Sequence, residues 1–140
     1  MLLLMISTAS ISSNDQKYHV GNLVTDMQDM SVWSYSRVKL HLTMNTLNFT
    51  ENNDLPNKKI LVSERAFQIT YKFINEEPTE ITYRLTEDEF GKALKEVYYS
   101  FLGIYAQNAF GQWLNQIGGI TVFTSYSDEI NGFIINSNYN

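Results

Sequence analysis

The chain has no cysteine among its 140 residues. Disulfides, thiolate metal sites and a cysteine nucleophile are therefore excluded, and the composition is typical of a cytosolic protein. Histidine is nearly as scarce: His19 and His41 stand alone, without the paired spacing of a zinc-binding helix. We therefore expect a cytoplasmic protein with no metal site and no cofactor.

Catalytic motifs are also missing. The serines form no nucleophile elbow of the G-x-S-x-G type, and no glycine-rich loop opens a helix to bind phosphate. Acidic pairs such as Glu76 with Glu77, and Asp128 with Glu129, fall in predicted turns, where they would be solvated. The sequence thus predicts a protein that is not an enzyme.

Long apolar runs and excess positive charge are absent as well. The longest apolar run, Met1–Ile6, is far shorter than the roughly 20 residues that span a bilayer, and no basic residues precede it as in a signal peptide. The net charge is −5, the wrong sign for a phosphate-binding surface. We expect neither membrane insertion nor nucleic-acid binding, and residues 1–16 either as a flexible tail or as a short first strand.

Charge of either sign is missing from one long stretch. No charged residue lies between Glu96 and Asp128, and every lysine and arginine lies between Lys17 and Lys95. Such a region would be poorly soluble if exposed, because large apolar patches are rare on monomers. The sequence therefore predicts self-association, or a partner that covers this region.

The apolar content of 44% is that of a globular protein, and the length suits a single domain over residues 1–140. Alternating apolar and polar residues predict strands, most clearly where Phe67, Ile69, Tyr71 and Phe73 share one face. The predicted strands are Tyr18–Val24, Trp33–Phe49, Ile60–Ile74 and Thr79–Leu85.

A long helix is predicted from Thr86 to Gly119. It opens with a capping box of Thr86 and Glu89, and it closes at Gly118–Gly119, with a kink allowed at Gly103. Its apolar stripe, spaced by threes and fours, is expected to cover the sheet and consists of Phe90, Leu94, Val97, Phe101 and Ile104.

The remainder is predicted as a short extended segment at Ile120–Thr124 and a final helix over Ser127–Ile135. The expected fold class is therefore α+β. An antiparallel sheet of about four strands packs against one long helix that is allowed a kink, with a short C-terminal helix added.

The second half of the predicted long helix carries aromatic residues around its whole circumference. One interpretation is a helix buried at the centre of its own domain. The other is a subunit interface or a docking surface, because interfaces favour tyrosine, tryptophan and phenylalanine and exclude charge from their centres.

The segment Leu102–Gln107, followed by Phe110, Trp113–Leu114 and Gly119, resembles the long helix of the SecB-like export chaperones. Tyr105 and Ala106 match that family's pattern, whereas Ile104 stands in place of a proline and Gln107 in place of an arginine. The resemblance covers about the last 50 residues, and the strands agree only as a pattern.

The resemblance implies a homotetrameric, acidic, ATP-independent chaperone that holds unfolded polypeptides, or guards the antitoxin of a toxin–antitoxin pair. The candidate polypeptide-binding residues are Trp33, Tyr35, Phe101, Tyr105 and Trp113. The candidate oligomer-interface residues are Tyr98, Tyr99, Phe110 and Leu114. The alternative for these residues is an ordinary core.

Two other classes of function stay open. One is a phage virion component of the neck or tail-completion type, which assembles into a ring. The other is a small acidic inhibitor of a single defence or host protein, steered by negative charge onto a basic target. The uncharged aromatic stretch favours assembly over mimicry of nucleic acid, which would need carboxylates in rows.

Overall fold

A computed structural model describes residues 23–45 and 48–138 of the chain. Their strands form one antiparallel sheet of seven, in the order β1-β2-β3-β4-β7-β6-β5. The strands are β1 (Thr50–Asn52), β2 (Asn57–Ser63), β3 (Phe67–Ile74), β4 (Glu77–Leu85), β5 (Trp113–Ile117), β6 (Ile120–Ser127) and β7 (Gly132–Asn138).

Three α-helices lie on one face of this sheet. They are α1 (Leu23–Gln28), α2 (Tyr35–Met44) and α3 (Glu89–Leu102), with a 3₁₀ helix at Met30–Val32 between the first two. The core lies between helices and sheet, where Tyr71, Tyr83 and Phe133 from three strands are almost completely buried. The protein is therefore α+β, but the prediction of about four strands against one long helix is wrong.

One predicted strand, Thr79–Leu85, holds, and part of a second, Ile60–Ile74, is also a strand. β3 buries Ile69, Tyr71 and Phe73 on the expected face. β4 covers the predicted strand Thr79–Leu85 and extends it toward the N-terminus. The single predicted strand Ile60–Ile74 is instead the hairpin of β2 and β3, whose pairing runs from Asn57 opposite Ile74 to Ser63 opposite Gln68.

The predicted strand Trp33–Phe49 is wrong, because α2 occupies its centre. The Ser34 side chain caps this helix by accepting a hydrogen bond from the Arg37 N–H at 3.2 Å. Val38 and Leu42 are fully buried, whereas Leu40, which shares their strand-like alternation, is 58% exposed. A spacing of four between buried residues is typical of a helix. The sequence predicts a strand instead because the apolar residue Leu40 between them completes an alternating pattern.

The predicted long helix is wrong in its second half. α3 ends at Leu102, and the chain continues through i→i−3 hydrogen bonds at Gly103 and Tyr105 before it enters β5. Gly118 and Gly119 do not end a helix; they form the two-residue turn of the β5–β6 hairpin, with φ of +60° at Gly118. The expected extended segment at Ile120–Thr124 is the first part of β6.

The predicted final helix, Ser127–Ile135, is also wrong, since β7 pairs with both β4 and β6 there. The expected capping box at Thr86 is displaced: Asp88 caps α3 by accepting from the Gly91 N–H, and the Thr86 hydroxyl donates to Asp88. Of the predicted strand Tyr18–Val24, only the last two residues are described, and both belong to α1. The expectations for residues 1–16 lie outside the described residues.

Candidate protein-binding surface

The apolar stripe predicted to cover the sheet lies largely at the surface. Phe90 is 46% exposed, Phe101 is 50% exposed and Ile104 is 75% exposed, while Leu94 and Val97 are half-buried. We call these five residues the α3 flank. Their spacing of four, three, four and three residues keeps them on one side of the helix.

The flank is exposed because a neighbouring face of α3 packs on the sheet. Tyr98 and Leu102 are buried there, one turn apart, and the Tyr98 ring meets the rings of Tyr83 and Phe133 at centroid distances of 5.8 Å and 5.7 Å. α3 therefore has an apolar arc that is wider than its contact with the sheet. A helix with such an arc has apolar surface left for a second contact.

A second apolar projection follows α3. The side chain of Asn108 accepts hydrogen bonds from the N–H groups of Phe110 and Gln112, and it donates one to the Gln112 side chain. These bonds, of 2.9–3.0 Å, close a tight turn in which asparagine replaces backbone partners. The turn presents Phe110 to solvent with 88% of its surface exposed.

An aromatic cluster lies on the other side of α3. The Tyr99 ring contacts Trp113, Tyr126 and Phe133 at centroid distances of 5.5–5.8 Å. Trp113 also lies within 6.4 Å of Phe133. These contacts fix α3 to β5, β6 and β7, so the flank and the Phe110 turn project from a packed scaffold.

The five candidate polypeptide-binding residues do not form one groove. Tyr35 is buried against Phe73, and Trp113 is buried in the aromatic cluster. Trp33 is half-buried at the start of α2, with the Arg37 guanidinium 4.0 Å from its ring centroid. Only Phe101 and Tyr105 lie together, at the end of α3, and Tyr105 is half-buried and accepts a hydrogen bond from the Gln28 side chain.

The four candidate interface residues are also divided. Tyr98 is buried in the core, Tyr99 is 41% exposed, and Leu114 is half-buried on the sheet face away from the helices. Phe110 is the most exposed of the large apolar side chains in the described part of the chain. The binding roles of both sets remain predictions.

A buried carboxyl group escaped the sequence analysis. Asp26 on α1 is completely buried, and its Oδ2 accepts hydrogen bonds from the hydroxyls of Tyr71, at 3.2 Å, and Tyr83. Burial raises its pKa from 3.8 to about 7, and these hydrogen bonds only partly oppose the shift. Among the residues that the structure describes, its Oδ1 has no hydrogen-bond partner, and neither does the Tyr98 hydroxyl, which faces the backbone of Leu23 without a bond of normal geometry.

The spacing of the apolar residues around α1 could have predicted that Asp26 is buried. Leu23, Met27 and Met30 form an apolar stripe, and Asp26 stands within it. A carboxylate in such a stripe is either at the edge of the core or buried with partners. Here three tyrosines surround it, and a strongly shifted buried acid is a common feature of functional sites and of structural networks alike.

An open cleft of about 440 Å³ lies between the start of α3 and the β6–β7 turn. Lys95 spans it, with its Nζ 4.2 Å from the ring centroid of Tyr126, and the Tyr126 hydroxyl raises the pKa of Lys95. Lys92 adds a second positive charge, whereas Glu87 and Asp128 add negative ones. The mixed charge selects no class of ligand.

Within residues 23–45 and 48–138, no group of three histidine, aspartate or glutamate side chains is placed to hold a metal ion. No helix in these ranges is long and apolar enough to cross a membrane. Comparisons with protein-family models, with curated proteins and with solved structures give no match.

Proposed function

We propose that this chain is a non-enzymatic, cytoplasmic protein-binding protein that holds an apolar segment of another polypeptide on the α3 flank. The observation that carries the proposal is the exposure of Phe101, at the end of α3, and of Ile104, in the turn that follows it, within a region that has no charge. Solvent-exposed apolar groups of this size, held on a packed scaffold, are typical of binding surfaces.

The chemistry of the flank suits an apolar segment. Neither Phe101 nor Ile104 has a charged neighbour in the sequence from Val97 onward, so the segment that carries them brings no ion into the contact. At the other end, the Arg65 guanidinium lies 3.6 Å from the ring centroid of Phe90 and leaves that ring partly covered. We therefore place the centre of binding at Phe101 and Ile104.

A holding chaperone that binds unfolded chains without a nucleotide, as the SecB-like resemblance implies, would use such a surface. The residues that carry the resemblance form a turn and β5 rather than a long helix, so the proposal rests on the exposed apolar side chains alone. Burying one large apolar side chain contributes about 1.5–3 kcal/mol, so a few such contacts suffice for micromolar binding. A virion assembly component would use the same apolar surface to contact a fixed neighbour. It is the second candidate, because the edge of the sheet at β5 is suited to assembly.

The test is binding of a reduced, carboxymethylated protein that stays unfolded, measured by fluorescence anisotropy. We expect the double variant Phe101→Ser, Ile104→Ser to bind about tenfold more weakly or worse, because it loses two apolar contacts. The matched control is Leu40→Ser, Met44→Ser, which removes two side chains that are 58% and 72% exposed on α2.

Equal loss of binding in both double variants would show non-specific adhesion and contradict the proposal. Unchanged binding in the α3 variant would also contradict it. Circular dichroism melts of the two variants check that each retains the native fold. A native chain that binds no unfolded protein, but takes up one folded partner, would leave the single-target inhibitor as the surviving function.

A further inference from the structure

Among residues 23–45 and 48–138, no further strand of the sheet pairs with the outer edge of β5, and this edge carries no charge. Sheets in natural proteins protect such edges with lysine, proline, very short strands or a covering segment, because free backbone groups pair with other chains. The opposite edge, β1, is only three residues long and contains Glu51. β5 has five residues, all of them uncharged.

The ladder shows which backbone groups of β5 point outward. Residues of an antiparallel strand alternate between bonding to the partner strand and pointing away from it. The Leu114 N–H points away from β6, since it donates to the Ala106 carbonyl at 2.9 Å. Gln116, two residues further, therefore points the same way, and no described segment pairs with its N–H or carbonyl.

The segment beside β5 covers only part of this edge. Gln107 bridges Trp113, and Ala106 binds Leu114, so the first two residues of β5 are paired. From Asn115 to the turn at Gly118 the edge is free among the described residues. Phe110, 88% exposed, projects from the turn that leads into β5.

We propose that a second copy of this chain pairs with β5, so that two sheets join edge to edge across a two-fold axis. A two-fold contact places each residue near its own counterpart, and like charges would then repel. The segment from Val97 to Ser127 has no charge to repel, although the chain as a whole carries −5. A basic partner would gain nothing electrostatically from this edge, which favours a second copy as the occupant.

The geometry assigns the centre of the contact to Gln116. In an antiparallel pair centred there, each Gln116 N–H donates to the Gln116 carbonyl of the other copy. The pairing spans only Asn115–Ile117, because Leu114 already pairs with Ala106. The two Gln116 side chains then lie directly opposite, on the sheet face away from the helices. This contact is separate from the α3 flank, so either surface can be tested without the other.

Charge pairs test this arrangement. We expect the native chain to dimerise in sedimentation velocity, and Gln116→Lys and Gln116→Glu each to dimerise several-fold more weakly, because like charges face each other. An equimolar mixture of the two variants should restore dimers of mixed composition, read by native mass spectrometry. Asn52→Lys and Asn52→Glu, on exposed edge strand β1, are the controls and should leave dimerisation unchanged.

Gln116→Pro is an independent variant. It removes the outward N–H together with the side-chain hydrogen bond from Gln116 to the Thr121 hydroxyl, which Gln116→Lys and Gln116→Glu also lose or change, and edge strands tolerate proline at such a position. We expect it to weaken the dimer about tenfold while preserving binding of unfolded protein at the flank. A native chain that stays monomeric at 100-fold higher concentration than the binding assay uses, or charge variants that dimerise as well as the native chain, would overturn the proposal.

Discussion

The two ends of the sheet are finished in different ways. At the β1 end, Glu51 pairs with Lys39 at 3.2 Å and accepts a hydrogen bond from the Tyr35 hydroxyl at 2.9 Å. At the β5 end the corresponding contacts are made without charge. Asn108 donates a hydrogen bond to the Gln112 side chain, and Gln107 pairs with Trp113 of β5. The exposed apolar side chains of α2 and of the β1 end, such as Met44 and Leu55, therefore lie in a charged region, whereas Ile104 and Phe110 project from a region without charge.

The two ends of the sheet differ in what their exposed side chains offer to a partner more than in how much those side chains stabilise the fold. An exposed ion pair such as Lys39 with Glu51 contributes little stability, but it keeps an edge solvated and unpaired. Exposed phenylalanine costs little stability either, yet it offers surface to a partner. Substitutions in the core, which both ends share, should therefore change stability most, and substitutions at exposed side chains should change it least.

The largest effect on stability is expected at Asp26, which is buried in the core between the helices and the sheet. Its pKa in the folded chain, about 7, lies above its unfolded value of 3.8, so the folded state holds the proton more tightly between these values. The stability contributed by the protonated acid is present below pH 4 and is lost as pH rises to 7. Asp26 should contribute a fall of roughly 4 kcal/mol across this window, read by urea unfolding as the difference between the native chain and Asp26→Asn. That difference is the measure because Glu51, Glu80 and Asp88, whose pKa values are lowered, contribute a rise in the same range.

Asp26→Asn should largely remove that dependence and be more stable than the native chain at pH 8. Asp29→Asn, at the exposed carboxylate three residues on, is the control and should keep most of the slope. A native pH slope that survives in Asp26→Asn would show that other groups cause it.

The next largest effect on stability is expected in the middle of the sheet, between β4 and β7. β4 and β7 meet at Arg84 and Gly132, and a Cβ added at Gly132 would lie 1.8 Å from the Tyr83 carbonyl oxygen. Gly132→Ala should therefore destabilise the fold by about 3 kcal/mol or more, measured by urea unfolding. Gly119→Ala, where nothing lies within 4 Å of the added Cβ, should be much milder.

A smaller effect is expected at the turn that presents Phe110. Asn108→Ala removes acceptors for two backbone N–H groups and should lower the unfolding free energy by about 1–2 kcal/mol. Asn108→Asp keeps an acceptor for both N–H groups and loses only the bond to the Gln112 side chain, so it should lose less. If both variants melt with the native chain, Asn108 does not hold the turn.

The smallest stability effect, with a clear effect on binding, is expected at Phe110. Phe110→Ser should change the melting temperature very little, because an exposed side chain contributes little packing. Dimerisation or uptake of unfolded protein should weaken severalfold. Leu55→Ser makes the matched comparison at the β1 end, since Leu55 is 85% exposed, and it should change neither property.

Period-two patterns correctly predicted extended structure at β3 and β4, because these strands have one buried and one open face, but they missed β7 beside them. The same reasoning failed at α2, where Val38, Leu40, Leu42 and Met44 satisfy both a strand and a helix pattern. The cap at Ser34 was the signal that could have decided it.

The C-terminal errors share one cause. Gly118–Gly119 between Ile117 and the β-branched run Ile120–Val122 is a hairpin signal, but after an apolar helix it also looks like a helix stop. Local residues do not decide between them; the pairing of β7 with both β4 and β6 does. Pairing between strands that are distant in the chain is the feature of a fold that is hardest to predict from a single sequence.

The contact surface stays a prediction from composition, and the geometry that was expected for it is wrong. The uncharged stretch pointed to a contact surface, and the structure exposes Phe101, Ile104 and Phe110 within it. The sequence could not show that Tyr98 and Leu102, rather than the predicted stripe, face the sheet. That choice depends on the rings of Tyr83 and Phe133, which come from strands far away in the chain.

Hydrogen–deuterium exchange tests the central claim, that the uncharged region is the contact surface, most directly. Exchange would be followed at low and high protein concentration, and again with the unfolded client protein. We expect concentration to slow exchange around Gln116, and the client to slow it around Phe101–Tyr105, while α2 stays unchanged. Protection confined to α2 and the β1 edge, or no protection at any concentration, would contradict the account.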